Sequence, residues 1–143
     1  MDLETLKEQI YYQIQLVNKD LYTKFEFCVG SSPSRTEILK FLYENGKIAQ
    51  MSLQKKLNID KAAITRHLKQ LEASNYIERT KEDKDQRVTW VELTSSTKEE
   101  IDYLFKQRER FLSEILADFS YEQLKVFYEM LNTMQDNILK TTK

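Results

Sequence analysis

A mainly α-helical chain carrying one small β element is what the sequence predicts, and three observations predict it. Only two Gly and one Pro occur in 143 residues, too little turn chemistry for a β-sandwich or a doubly wound sheet. Apolar residues recur at spacings of three and four over several long stretches, which is the period of a helix. Between residues 76 and 93 alone do β-branched and aromatic residues gather as they do in strands.

The first helix is read from Leu3 to Cys28, with Leu6, Ile10, Ile14, Val17, Leu21 and Phe25 completing one stripe about seven turns long. A helix of this length that precedes any compact unit buries its stripe against another subunit or against its own domain. Gly30-Ser31-Ser32-Pro33-Ser34 ends it and offers Ser34 as an N-cap, with Glu37 at the capping-box position. The second helix runs through Ile38, Leu39, Phe41 and Leu42 to an Asn45-Gly46 stop. A brief helix over Ser52 to Leu57 follows a short link containing Ile48, and Asn58-Ile59-Asp60 makes a tight connection. Asp60 then caps a helix that buries Ile64, Leu68 and Leu71.

Two short helices joined in this way form a helix-turn-helix. The outward side of the second shows Lys61, Ala62, Ala63, Thr65, Arg66 and Lys69, small residues that permit close approach mixed with hydrogen-bond donors. A solvated basic face would read similarly. The charge distribution favours contact with nucleic acid: residues 47 to 90 hold ten Lys/Arg against six Asp/Glu, whereas the whole chain has a net charge of −1.

Tyr76 to Thr80 and Val88 to Leu93 read as two strands, and the seven residues from Lys81 to Arg87 contain no apolar side chain. They are expected to form an exposed hairpin tip, giving the order of a winged helix-turn-helix with a two-stranded wing. In such a wing Arg87 would reach a DNA minor groove, Asp85 would hold its guanidinium in one orientation, and Lys84 would meet phosphate. A helix capped within Thr94 to Thr97 carries Ile101, Leu104, Phe105, Phe111 and Leu112. Ser120 and Gln123 cap a last one that shows Leu124, Phe127, Met130, Leu131, Met134 and Ile138. Three amphipathic helices outside one small lobe leave more apolar surface than the lobe can hide, so a homodimer is expected.

The inventory argues against an enzyme. The sole His67 lies on the helix read as contacting DNA, the sole Cys28 lies far from it in sequence, and no catalytic pair, Cys/His metal cluster or cofactor motif is evident. His67 reads as a neighbour of phosphate or water, or as inert. No N-terminal signal pattern and no stretch of about 20 apolar residues is present, so a cytoplasmic protein with no membrane partner is expected. Cys28 completes the apolar stripe, which favours a buried small hydrophobe over an oxidant sensor.

The segment Asp60-Lys61-Ala62-Ala63-Ile64-Thr65-Arg66-His67-Leu68-Lys69-Gln70-Leu71-Glu72 resembles the recognition-helix pattern of the MarR family of winged helix-turn-helix regulators. Ile77-Glu78-Arg79 is similar to that family's first wing strand, Asp85-Gln86-Arg87 to its wing-tip D-x-R motif, and Val91-Glu92-Leu93-Thr94 to its strand-to-helix exit. The motif-bearing match covers about residues 34 to 97. Asn75 and Thr97 stand where the family usually has glycine; Asn tolerates a left-handed cap, and Thr97 fits a first helical turn. The resemblance implies a regulator, read as a repressor, that binds a pseudo-palindromic double-stranded operator as a homodimer. It divides the chain into a dimerisation helix (1–33), a DNA-binding lobe (34–97) and C-terminal dimerisation helices (98–143). It further implies release by a small ligand or by oxidation. Eight Tyr and seven Phe suit a phenolic ligand or, equally, a core, and the family's sensor cysteines lie near the start of the first helix, unlike Cys28. The rival reading is a protein-interaction module, such as an antirepressor, built on the same scaffold and favoured by the overall −1 charge.

Overall fold

The computed structural model describes residues 1–141, so the last two residues of the 98–143 segment lie outside the described residues. Its elements are α1 (Leu3–Val29), α2 (Pro33–Asn45), β1 (Ile48–Ala49), α3 (Gln50–Leu57), α4 (Lys61–Ala73), β2 (Ile77–Lys81), β3 (Thr89–Leu93), α5 (Ser95–Ile115) and α6 (Tyr121–Thr141). The chain forms two compact units, one from Met1 to Arg108 and a second that starts at Glu109. The fold is mainly helical, as expected. Its sheet has three antiparallel strands in the order β1-β3-β2 rather than the two expected. The added strand is the Ile48–Ala49 segment, where Ile48 pairs with Val91 and Ala49 with Trp90. Two residues carry no alternating pattern of their own, and the partner strand imposes the extended form.

The core of the first unit gathers Ile38, Leu39 and Leu42 from α2, Leu53 from α3 and Ile64, Leu68 and Leu71 from α4. Ile77, Val91 and Leu93 from the sheet and Ile101 from α5 complete it. Burial of each such side chain stabilises the fold by roughly 1.5 to 3 kcal/mol. Around this core the local chemistry sets the element ends. Asp2 caps α1 by accepting the Thr5 N–H at 2.7 Å, and Gly30 ends it at φ 86°, in the left-handed region. The α2 cap is Ser32, not the expected Ser34: its Oγ accepts the Arg35 N–H at 3.2 Å, because Pro33 has no N–H to lose and fits the first helical position. Glu37 is thereby freed from the capping box. Its Oε1 accepts Nε and Nη2 of Arg108 at 3.0 and 2.7 Å, which fastens α5 to α2.

The stripe on α1 proves largely unburied. Only Phe25 and Val29 are buried, while Leu3, Leu6, Ile10, Ile14, Val17 and Leu21 stay 37–64% exposed. Cys28 is exposed too, contrary to the expected buried position. Phe25 and Val29, four apart, define the inward line, and a residue next to Val29 points about 100° away from it.

In the second unit α6 starts with the expected reciprocal cap: the Ser120 N–H donates to Gln123 Oε1 at 2.9 Å, and the Gln123 N–H to Ser120 Oγ at 3.1 Å. This helix buries no residue; Phe127, Met130, Leu131 and Ile138 are 43–56% exposed. Among the described residues no helix is long and apolar enough to cross a membrane.

Candidate nucleic-acid interface

The turn between α3 and α4 aims α4. Asn58 takes the left-handed φ of 51°, which ends α3 sharply, and Asp60 begins α4 two residues later. Asp60 Oδ2 accepts the N–H groups of Ala62 and Ala63 at 3.1 and 3.2 Å, so the first turn of α4 is satisfied from within. With Ile64, His67, Leu68 and Leu71 buried, α4 leaves Lys61, Ala62, Arg66 and Lys69 exposed, and Ala63 and Thr65 half-exposed. All six residues expected on its outer side therefore lie off the buried stripe. Thr65 Oγ1 donates to the Lys61 carbonyl at 2.9 Å.

Two contacts lock α4 to its surroundings. Arg35 Nη2, from α2, donates to Gln70 Oε1. Two residues further along the same last turn, Arg79 Nη2, on β2, donates to Glu72 Oε1 at 2.9 Å, a pair that holds the Glu72 carboxyl below the usual carboxylate range. Asn75 then turns the chain at φ 64°. Its carbonyl accepts Thr94 Oγ1 at 2.9 Å, while that same oxygen accepts the Thr97 N–H at 3.3 Å and so caps α5.

The wing tip is a closed turn. Asp85 accepts from Arg87 three times: at Oδ1 from the backbone N–H (3.1 Å) and Nε (3.0 Å), and at Oδ2 from Nη2 (3.2 Å). The Arg87 side chain nevertheless stays 91% exposed, so it is oriented without being covered. Its bonds to Asp85 hold that carboxyl below the usual range. Lys84 is exposed beside it. Lys61, Gln50, Gln54 and Arg87 border one cleft of about 310 Å³, which brings the start of α4 and the wing arginine to a common opening.

Sequence reasoning missed two features of this region. His67 faces inward at 9% exposure, and its Nδ1 has no partner among the described residues. Burial pushes its pKa down, helped by the positive charge of Arg35 and Arg66. Glu82 lies in the loop that the sequence marks only as charged, yet its Oε2 accepts the indole N–H of Trp90 at 2.7 Å. The hairpin register contains that signal. Thr80 pairs with Trp90, so Glu82, two residues on, falls diagonally across from Trp90 on the same face.

A helix-turn-helix with an exposed basic second helix, followed by a wing tipped by an oriented arginine, defines a winged-helix transcriptional regulator of the DNA-binding class. Comparison with known proteins agrees. Residues 32–89 match the model of the MarR family. The chain is 46% identical over 130 residues, 91% of its length and 79% of the relative's, to the uncharacterized HTH-type transcriptional regulator YdgJ of Bacillus subtilis. The chain belongs to the MarR family. Its fold is also that of a mutant MarR from E. coli complexed with operator DNA (TM-score 0.76, 18% identity, 94% of this chain and 99% of that one). The PcaV transcriptional regulator from Streptomyces coelicolor, in complex with its natural ligand, shares it as well (TM-score 0.77, 17% identity, 95% and 96%).

Proposed function

We propose that this regulator binds a pseudo-palindromic DNA operator as a homodimer and represses transcription in the cytoplasm. The observation that carries the reading is the common opening bordered by Lys61 and by an Arg87 that Asp85 orients while leaving it in solvent. Arg66 reads a base edge in the major groove and Thr65, Ala62 and Ala63 read methyl and edge features. Lys61, Lys69 and Lys84 meet phosphates, and Arg87 enters the minor groove. Residues 34–97 form the DNA-binding lobe. The segments 1–33 and 98–143 supply the dimer contacts, which accounts for the exposed apolar residues on α1 and, separately, on α6. The MarR and PcaV complexes support DNA and a small ligand as partners.

Release of DNA follows binding of a small aromatic ligand. A groove of about 240 Å³, where Tyr76 and Tyr103 stand beside the apolar Leu39, Ile101 and Leu104, is the place we assign to it. Exposed Cys28 is the residue an oxidant would reach if release were oxidative. The test is fluorescence anisotropy of DNA taken from upstream of the protein's own coding sequence, against scrambled DNA of equal length, at about 50 and 200 mM salt. Tight, salt-sensitive binding that prefers the upstream DNA is expected. Absence of binding to either duplex at both salts overturns the reading.

A further inference from the structure

A carboxylate at the base of a wing that approaches DNA is electrostatically misplaced, since it repels phosphate. Glu82 is such a group, and it bonds to three different residues around the wing turn. Its N–H donates to the Val88 carbonyl at 2.9 Å, its own carbonyl accepts Gln86 Nε2 at 2.9 Å, and its carboxylate accepts the Trp90 indole N–H at 2.7 Å. Lys47 Nζ lies 5.7 Å from the centroid of the same indole ring, so Trp90 is held by an anion at its N–H and a cation near its ring. Trp90 is itself fixed in β3 by pairing with Thr80 on one side and Ala49 on the other. The turn is thus hinged at Glu82 and braced against a strand in the middle of the sheet. Beyond that hinge the ties from Val88 N–H to the Asp85 carbonyl and from Asp85 to Arg87 are local to the tip; the one other tie to the sheet is the bond of the exposed Lys81 Nζ, on β2, to the Gln86 carbonyl at 3.3 Å, made at the end of a flexible side chain.

We propose that Glu82 is a positioning residue for DNA binding: by accepting the Trp90 indole N–H it fixes the angle at which the wing presents Arg87, and this outweighs the repulsion of its charge. The proposal rests on the DNA-binding reading and makes a prediction opposite in sign to charge alone. Removal of a negative charge from a DNA-facing wing should tighten binding; here Glu82→Ala should weaken it by about 3- to 10-fold, the effect of one lost hydrogen bond of ordinary net strength.

The experiment uses the full chain and a labelled duplex enriched by the wild-type protein from random-sequence DNA. Glu82→Gln keeps an acceptor oxygen and is expected to bind at least as tightly as wild type. Trp90→Phe keeps a ring but no N–H, and should weaken binding as Glu82→Ala does. The double variant should be no weaker than either single one, because both remove the same bond. In the free protein, acrylamide should quench Trp90, the sole tryptophan, more strongly in Glu82→Ala than in Glu82→Gln. Arg87→Ala is the control. If Arg87→Ala weakens binding and Glu82→Ala strengthens it or leaves it unchanged, this proposal fails while the DNA-binding reading stands. Additive losses in the double variant also overturn it. If no duplex is enriched, the DNA-binding reading fails and takes the proposal with it.

Discussion

Asp85 grips Arg87 with both carboxylate oxygens, at 3.0 and 3.2 Å, while the arginine side chain remains 91% exposed. An unpaired arginine on a loop would lose much of its rotamer freedom on entering a groove, and prior orientation reduces that cost. Arg87→Ala should weaken operator binding by about 1 to 3 kcal/mol and leave the oligomeric state unchanged. Asp85→Ala should also weaken it, by less, although it removes a negative charge. Titration of both variants by anisotropy checks this; unchanged affinity for Arg87→Ala removes the wing from the mechanism. The pair outlasts an ordinary aspartate's ionisation as pH falls. Asp85 has a depressed folded pKa, so its contribution is complete above the unfolded value of 3.8 and is lost only as pH falls through the lower folded value.

The exposed face of α4 separates two kinds of contact by experiment. Arg66→Ala should cost about 1 to 3 kcal/mol on the preferred duplex and much less on scrambled DNA, because it removes a base contact. Lys61→Ala and Lys69→Ala should weaken both duplexes alike and each lower the salt slope by about 1. Binding isotherms at several salt concentrations distinguish the patterns, and an Arg66→Ala variant with undiminished sequence preference would refute the assignment.

Asn75 supplies a test of the turn beyond α4. At φ 64° a residue with a Cβ is strained, and Asn tolerates the conformation better than most. Asn75→Ala should therefore destabilise the fold by about 1 kcal/mol, whereas Asn75→Gly should be neutral or stabilising. Urea unfolding midpoints measure both; equal stability of the three proteins would show that this turn carries no strain.

The helical elements and the wing were legible because each depends on local chemistry. Asp60 caps α4 through its own next residues, the Ser120–Gln123 pair caps α6, and Asp85 and Arg87 are two residues apart. What escaped the sequence depends on partners far along the chain. β1 exists because Val91 and Trp90 pair with it, Glu37 finds its partner in Arg108, and Arg35 acts on Gln70. Cys28 fits the apolar period of α1 as well as Phe25 does. Periodicity names a face, and only packing decides how much of it is covered. His67 shows the same limit on α4, where it borders the buried stripe three residues after Ile64.

The position of His67 predicts how stability responds to acid. Its folded pKa is lowered below the unfolded value of 6.5, chiefly by burial and further by the charges of Arg35 and Arg66. The folded state therefore binds fewer protons than the unfolded state in that window. The contribution is complete above about pH 6.5 and declines as pH falls from there through the folded pKa. His67→Gln, which keeps a polar side chain and does not titrate, should flatten the dependence of unfolding free energy on pH between 7.5 and 5.5, limits set about one unit either side of that value. Denaturant melts across this range read the slope; an unaltered slope in the variant would mean that His67 does not carry it.

The exposed apolar residues of α1 and α6 supply a test of the proposed dimer. Ile10 is 47% exposed on α1 and Leu131 43% on α6, each within a row of apolar side chains that the single chain leaves in solvent. A charge at such a site costs the folded protomer little, because surface substitutions usually change stability by less than about 0.5 kcal/mol. At a dimer contact the same charge would be buried without a partner, at a cost of several kcal/mol. Ile10→Glu and Leu131→Glu, made separately, should each shift the protein from dimer to monomer in light scattering, with helix content retained by circular dichroism. Operator affinity should fall at least about tenfold, since one lobe alone cannot gain from the high effective concentration of a tethered second half-site. Binding of scrambled DNA should change less. A Leu131→Glu protein that remains dimeric and binds the operator as before would place the dimer contact elsewhere, and the Ile10→Glu result would then show whether α1 alone supplies it.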